Sequence, residues 1–198
     1  MRTVREALLC ALNDLGGLDH AFAIVGGLAV SARCEPRLTR DVDIAMAVSD
    51  DRDAEEIVFR LQGRGYRVVT TLEQDVTHHL ATVRLQGPEV EDAGALLDLL
   101  FASSGIEPEV ATQAELLELL PGISAPVARL GHLIALKVLA RNDRLRPQDA
   151  MDLRSLLQDC SEADLALARE SLALIHARGF DRGRDLPAAL QQALCDFR

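Results

Sequence analysis

Apolar residues at Val4, Ala7, Leu8, Ala11, Leu12 and Leu15 recur at helical spacing, and Gly16-Gly17 supplies a stop, so the chain opens with an amphipathic helix. From His20 to Val25 runs a short apolar segment of strand length that ends at Gly26-Gly27. Leu28 to Arg33 then reads as the opening of a helix, broken by Glu35 and Pro36. A second strand is expected over Val42 to Val48. Ser49 to Asp53 offers capping residues for a helix that continues from Ala54 to Gln62 and ends at Gly63 and Gly65. Tyr66 to Thr71, His79 to Leu85 and Ala95 to Ala102 are further strand candidates, the last carrying Asp98 as its single charge.

Beyond Ser103-Ser104-Gly105 the pattern changes. Leu116 to Leu120 fits a short strand or a helix equally, because periodicity cannot separate them at that length. Pro121-Gly122 and Pro126 read as a connection. From Arg129 onward the chain reads as helix, over Leu130 to Ala140, Pro147 to Gln158 and Glu162 to Ala177. The expected fold is therefore α+β: a mixed sheet with flanking helices over residues 1–128, then a helical C-terminal region over 129–198.

Composition narrows the chemistry. The core must be aliphatic, since the chain has no Trp and one Tyr, and the formal charge of −10 argues against a broad basic surface for nucleic acid. The basic residues Arg129, Lys137, Arg141, Arg144, Arg146 and Arg154 outnumber Asp143, Asp149 and Asp152 locally, which leaves room for a basic groove. Cys10, Cys34, Cys160 and Cys195 show no metal-binding spacing and read as free thiols of a reducing compartment. His78-His79 read as strand-edge residues. No signal-peptide pattern and no membrane-length apolar run is present, so a cytoplasmic protein without membrane contact is expected.

Three features carry the candidate chemistry. A glycine pair between strand and helix lets backbone approach a phosphate, with the helix N-terminus behind it, although an ordinary tight turn has the same composition. Asp41 and Asp43 alternate with Val42 and Ile44, so the two carboxylates share one strand face. Paired hard oxygen ligands suit Mg²⁺ together with substrate phosphates, although a strand end with solvated acids has the same pattern. Asp98 is costly in an apolar strand unless it is paired, metal-bound or near water. If its strand lies beside 42–48, the three carboxylates form one cluster able to hold two metal ions.

The ordered set Val25-Gly26-Gly27-Leu28-Ala29-Val30, Arg37-x-Thr39-x-Asp41-x-Asp43-Ile44, Asp98, then His132 to Lys137, Arg141 and Asp149-Ala150-Met151-Asp152-Leu153 resembles the nucleotidyltransferase superfamily and, within it, the AbiE-type toxin group. The resemblance covers about residues 20–158. It implies that Asp41, Asp43 and Asp98 ligate two Mg²⁺ ions, with Asp98 also serving as base. It further implies that Gly26, Gly27 and Lys137 hold the triphosphate, with Arg37, Thr39, Arg141, Asp149 and Asp152 as further nucleotide-binding or supporting residues. The expected activity is transfer of a nucleoside monophosphate from an NTP to a hydroxyl of RNA or protein, as the toxin of a toxin–antitoxin or phage-defence pair with an antitoxin partner. An antibiotic-modifying nucleotidyltransferase and a weakly active nucleotide-binding module acting through a partner protein are the alternatives. The chain departs from many superfamily members in having Gly27 where a serine is common, and Cys34 where a small turn residue is expected.

Overall fold

The computed structural model describes residues 4–34, 36–74, 77–88, 95–141 and 147–197. Helix α1 (Val4–Gly16) buries Leu8, Ala11 and Leu15, the stripe its spacing requires. Strand β1 (Phe22–Val25) passes directly into α2 (Gly26–Arg33), so the glycine pair opens the helix and does not precede it. Strand β2 (Val42–Met46) pairs antiparallel with β1, and α3 (Asp51–Gln62) follows, capped by the Asp50 side chain on the Asp53 amide at 2.9 Å. Then come β3 (Arg67–Glu73), β4 (Leu80–Gln86), β5 (Leu96–Leu100) and the short helix α4 (Glu107–Thr112), for which the sequence pattern gave no signal.

Leu116 to Leu120 resolves as strand β6 (Glu115–Leu120), paired antiparallel with β7 (Ile123–Val127) across the Pro121-Gly122 turn. The connection expected at Pro126 is therefore a strand. Proline removes a ladder donor, which normally excludes it from a strand flanked on both sides. Strand β7 meets β1 only at Ile24↔Val127, so Pro126 lies where that pairing has not yet begun. Four helices complete the chain: α5 (Leu130–Ala140), α6 (Pro147–Asp159), α7 (Glu162–Ala177) and α8 (Leu186–Phe197).

The result is a mixed sheet in the order β3-β4-β5-β2-β1-β7-β6, an α+β architecture as the pattern predicts. Strands β2 and β5 run parallel in register, while β4 pairs antiparallel with β5. One continuous apolar core runs from Leu8 through Ile44 and Ile134 to Ala193, joining residues on both sides of position 128. Helix α5 is its centre, with Leu133, Ile134, Ala135, Val138 and Leu139 buried. Burial of so many aliphatic side chains, at roughly 1.5–3 kcal/mol each, is what holds the helices to the sheet. Among the described residues no helix is long and apolar enough to cross a membrane.

Candidate active site

The site forms where β1 ends and α2 begins. Gly26 has φ +60°, and a Cβ there would sit 2.0 Å from Oδ2 of Asp43, the residue paired with the preceding Val25 across the β1–β2 ladder. A side chain is excluded on both counts, and the backbone lies directly on the carboxylate. At Gly27 a Cβ would come within 2.8 Å of both the Arg37 guanidinium and Thr39 Oγ1. The N-cap residue Val25 provides no side-chain hydrogen bond to the first turn of α2, which leaves that helix end available to an anion.

The alternation along β2 is as expected: Val42 and Ile44 are fully buried while Asp41 and Asp43 are partly open. Because β2 and β5 pair in register, Asp43 lies directly opposite Asp98. Strand β4 extends the row by one more residue, since Arg84 lies opposite Asp98. The Arg84 guanidinium donates to both Asp98 oxygens, at 2.7 and 2.6 Å. Burial, then the charges of Asp98 and Asp41, push the Asp43 carboxyl up to about 6 against the pull of Lys137 and Arg84.

The opposite wall comes from α5 and α6. Lys137 donates to Asp149 and Asp152, each at 2.7 Å, and Arg37 donates to Asp152 at 2.8 Å. Burial raises the Asp152 carboxyl, but the hydrogen bonds from Arg37 and Lys137 outweigh it and hold the group below the usual carboxylate range. Among the described residues Asp149 keeps one buried oxygen, Oδ2, without a hydrogen-bond partner. The 36–41 loop is thus tied to α6 at Arg37, while its neighbour Leu38 is 97% exposed.

Between these walls lies a cavity of about 560 Å³, lined by Gly26, Gly27, Arg37, Thr39, Asp41, Asp43, Lys137 and Asp149 among others, a size suited to a nucleotide. Ser103, Ser104, Gln148 and Arg182 also line it, and the sequence pattern singled out none of these. Arg84 was likewise missed, although the alternation within 79–85 makes it one of the outward-facing residues of its strand. Asp98 stands behind Asp43, and Asp152 reaches the cavity through Arg37 and Lys137. Arg141 points elsewhere: its guanidinium lies 5.2 Å from the Phe197 ring and reaches Asp196 at 3.5 Å on α8. Arg129 pairs with Glu115 at 3.6 Å, and Arg154 is exposed. Glu35, Asp143, Arg144 and Arg146 lie outside the described residues.

Among the described residues no three His, Cys, Asp or Glu side chains are gathered as a metal cage. Asp41 and Asp43 nevertheless fit a hard cation. They are oxygen donors on one face, beside a backbone cradle that a Cβ would fill, and the raised Asp43 carboxyl is a group that a bound cation would relieve. None of the four cysteines is in a disulfide, and burial, reinforced by Asp159, pushes the Cys34 thiol up to about 11, well away from a nucleophile's range. His79 contacts Asp51 at 3.1 Å at the start of β4, remote from the cavity lining.

The family model described as "Nucleotidyl transferase AbiEii toxin, Type IV TA system" matches residues 7–196. An antigenic nucleotidyltransferase-like protein from Paracoccidioides brasiliensis is similar in structure, with TM-score 0.54 and 17% identity, covering 93% of this chain and 90% of that one. The structure of ANT(2'')-Ia in complex with adenylyl-2''-tobramycin is similar at TM-score 0.50 and 15% identity, covering 99% and 100% of the two chains. These two likenesses establish the fold. No curated protein matches the chain.

Proposed function

The chain belongs to the AbiEii nucleotidyltransferase family, matched over residues 7–196, and from that premise we propose that it moves a nucleoside monophosphate from an NTP to a hydroxyl of an RNA or protein acceptor. The observation that carries the reading is that Asp41 and Asp43, the latter with a raised carboxyl, line the cavity under the bare Gly26 turn, with Asp98 directly behind Asp43 across the β2–β5 ladder. The acceptor oxygen bonds to the α-phosphorus, the bond to the bridging oxygen of the β-phosphate breaks, and pyrophosphate leaves. The hydroxyl proton passes to Asp98, which makes its release from Arg84 part of the cycle.

Asp41 and Asp43, joined by Asp98, are the residues that would hold Mg²⁺, with two ions as in the superfamily pattern. When bound, these ions neutralise the triphosphate and activate the acceptor hydroxyl. The amides of Gly26 and Gly27 receive phosphate oxygens, and Lys137 supplies a point charge to them. Asp149 and Asp152 hold Lys137 in place, while Arg37 and Thr39 frame the phosphate turn. In this reading residues 1–128 form the donor-binding core and residues 129–198 close the cleft from the other side. Arg141 acts through α8 and not through the nucleotide.

The biological setting follows the family. We assign the chain to the toxin side of a toxin–antitoxin or phage-defence pair acting in the cytoplasm, with an antitoxin protein as its partner. Incubation with α-labelled NTPs and Mg²⁺ should label an RNA or protein fraction and release pyrophosphate. Asp41→Ala with Asp43→Ala should abolish labelling. Labelling that survives the double variant removes the metal-site assignment, and NTP binding without transfer to any acceptor reduces the protein to a nucleotide-binding module.

A further inference from the structure

The loop that leads into Asp41 is fixed from its inner side. The Arg37 amide donates to Ser31 Oγ at 3.2 Å, and its guanidinium donates to the Leu38 carbonyl at 3.2 Å and to Asp152 at 2.8 Å. Thr39 Oγ1 donates to the Asp41 carbonyl at 3.3 Å, and the Arg37 and Thr39 side chains both crowd Gly27. Burial alternates along the segment: Arg37 and Thr39 are half-buried, while Leu38 and Arg40 are exposed. Leu38 and Arg40 nevertheless line the cavity, which places them at its mouth.

Four cations line that cavity: Arg37, Arg40, Lys137 and Arg182. Three are engaged within the molecule, Arg37 by Asp152, Lys137 by Asp149 and Asp152, and Arg182 by the Ser103 carbonyl at 3.4 Å. Arg40 makes no hydrogen bond or ion pair with any described residue. In a chain of formal charge −10, an arginine held without a partner at the mouth of a site is a local point of attraction for an anion. The donor phosphates have their cradle at Gly26, Gly27 and Lys137, on the inner side of the loop. The anion that meets Arg40 therefore comes with the acceptor.

RNA and protein acceptors differ in the chemistry beside the reacting oxygen. A terminal ribose hydroxyl always has a phosphodiester within one nucleotide, whereas a serine, threonine or tyrosine hydroxyl has no obligatory charge near it. Arg40 adjoins Asp41, with Cα atoms about 3.8 Å apart, so its guanidinium is one side chain's length from the carboxylates where the hydroxyl reacts. We propose that Arg40 and Leu38 form the acceptor-binding lip of this site, Arg40 receiving the last phosphodiester of a single-stranded RNA end and Leu38 contacting its base. This rests on the transfer reading above and selects RNA over protein as the acceptor. Backbone phosphate contacts fix position and carry no sequence information, so the lip accepts many sequences.

Fluorescence anisotropy with a short single-stranded oligoribonucleotide, without NTP, tests the lip apart from catalysis. Log affinity should fall linearly with log salt, and Arg40→Gln should reduce that slope by about 0.7, the value for one phosphate contact on a single strand. At ~0.1 M salt this amounts to about a fivefold loss of affinity. Arg40→Lys should keep the slope, and Leu38→Ser should weaken binding about threefold with the slope unchanged. In the transfer assay Arg40→Gln should raise KM for RNA by a similar factor and leave NTP affinity as it was. Both residues are exposed, so thermal melts of the variants should match the unaltered protein. No RNA binding, RNA binding indifferent to Arg40→Gln, an equal loss of NTP affinity, or labelling of protein with none of RNA overturns the proposal. Salt-dependent RNA binding through Arg40 in a chain that transfers nothing supports the lip and removes the transfer reading.

Discussion

Arg84 holds both oxygens of Asp98, at 2.7 and 2.6 Å, from the position directly across the β4–β5 ladder. Asp98 faces Asp43 on its other side, so a guanidinium already occupies the cationic role beside a site suited to a metal ion. Replacing Arg84 by Gln removes that competitor. Mn²⁺ affinity without nucleotide, followed by electron paramagnetic resonance, should rise about fivefold to tenfold, while metal-free stability falls by about 1–2 kcal/mol, less than for a fully buried pair because Arg84 is partly exposed. A weaker affinity would mean that Arg84 orients Asp98 as a ligand and does not compete for it.

Gly26→Ala tests the cradle. The added Cβ must displace Asp43, and the left-handed backbone costs a non-glycine residue about 1–2 kcal/mol. Transfer activity should fall more than about a hundredfold, the order expected when a positioned group is moved by an ångström. The melting temperature should drop by only several degrees. Activity near that of the unaltered protein would show that Asp43 does not need its present position.

Lys137 neutralises two buried carboxylates. Lys137→Met leaves Asp149 and Asp152, 8% and 2% exposed, with Arg37 as their remaining cation among the contacts described above. Denaturant unfolding should show a loss of about 3 kcal/mol, the cost of stranding a buried charge. NTP affinity should fall with it. Lys137→Arg, which keeps the charge, should recover most of the stability.

His132, 1% exposed on α5, provides a pH dependence. Burial, helped by the charges of Arg129 and Arg33, pushes its pKa down to about 4, against the opposing pull of Glu109. A folded value below the ordinary ~6.5 means that the native state prefers the neutral ring. Its contribution is therefore complete above ~6.5 and is lost progressively as pH falls from there towards 4, by about 3 kcal/mol at most. Unfolding free energies from pH 7.5 to 4.5 should decline more steeply for the unaltered protein than for His132→Gln. Parallel profiles would remove His132 from the acid response.

The sequence alone determined whatever depends on local periodicity. Val42 and Ile44 had to face inward if Asp41 and Asp43 faced out, because side chains alternate along any strand. The stripe of Leu8, Ala11 and Leu15, the strand ending at Gly26-Gly27 and the long apolar face of α5 were legible for the same reason. The family resemblance was legible too, and the match over residues 7–196 shows that family. Strand β7 escaped because Pro126 is a turn signal locally, and only its limited meeting with β1 makes proline tolerable there. The opening glycine turn and the two aspartates became a candidate site through strand neighbourhood: β2 lying parallel to β5 set Asp43 against Asp98, and β4 beyond it brought in Arg84. Which strands adjoin, and in which register, is a contest among distant segments for shared burial and backbone hydrogen bonds. Local pattern carries no record of that outcome, and the tertiary structure decided it.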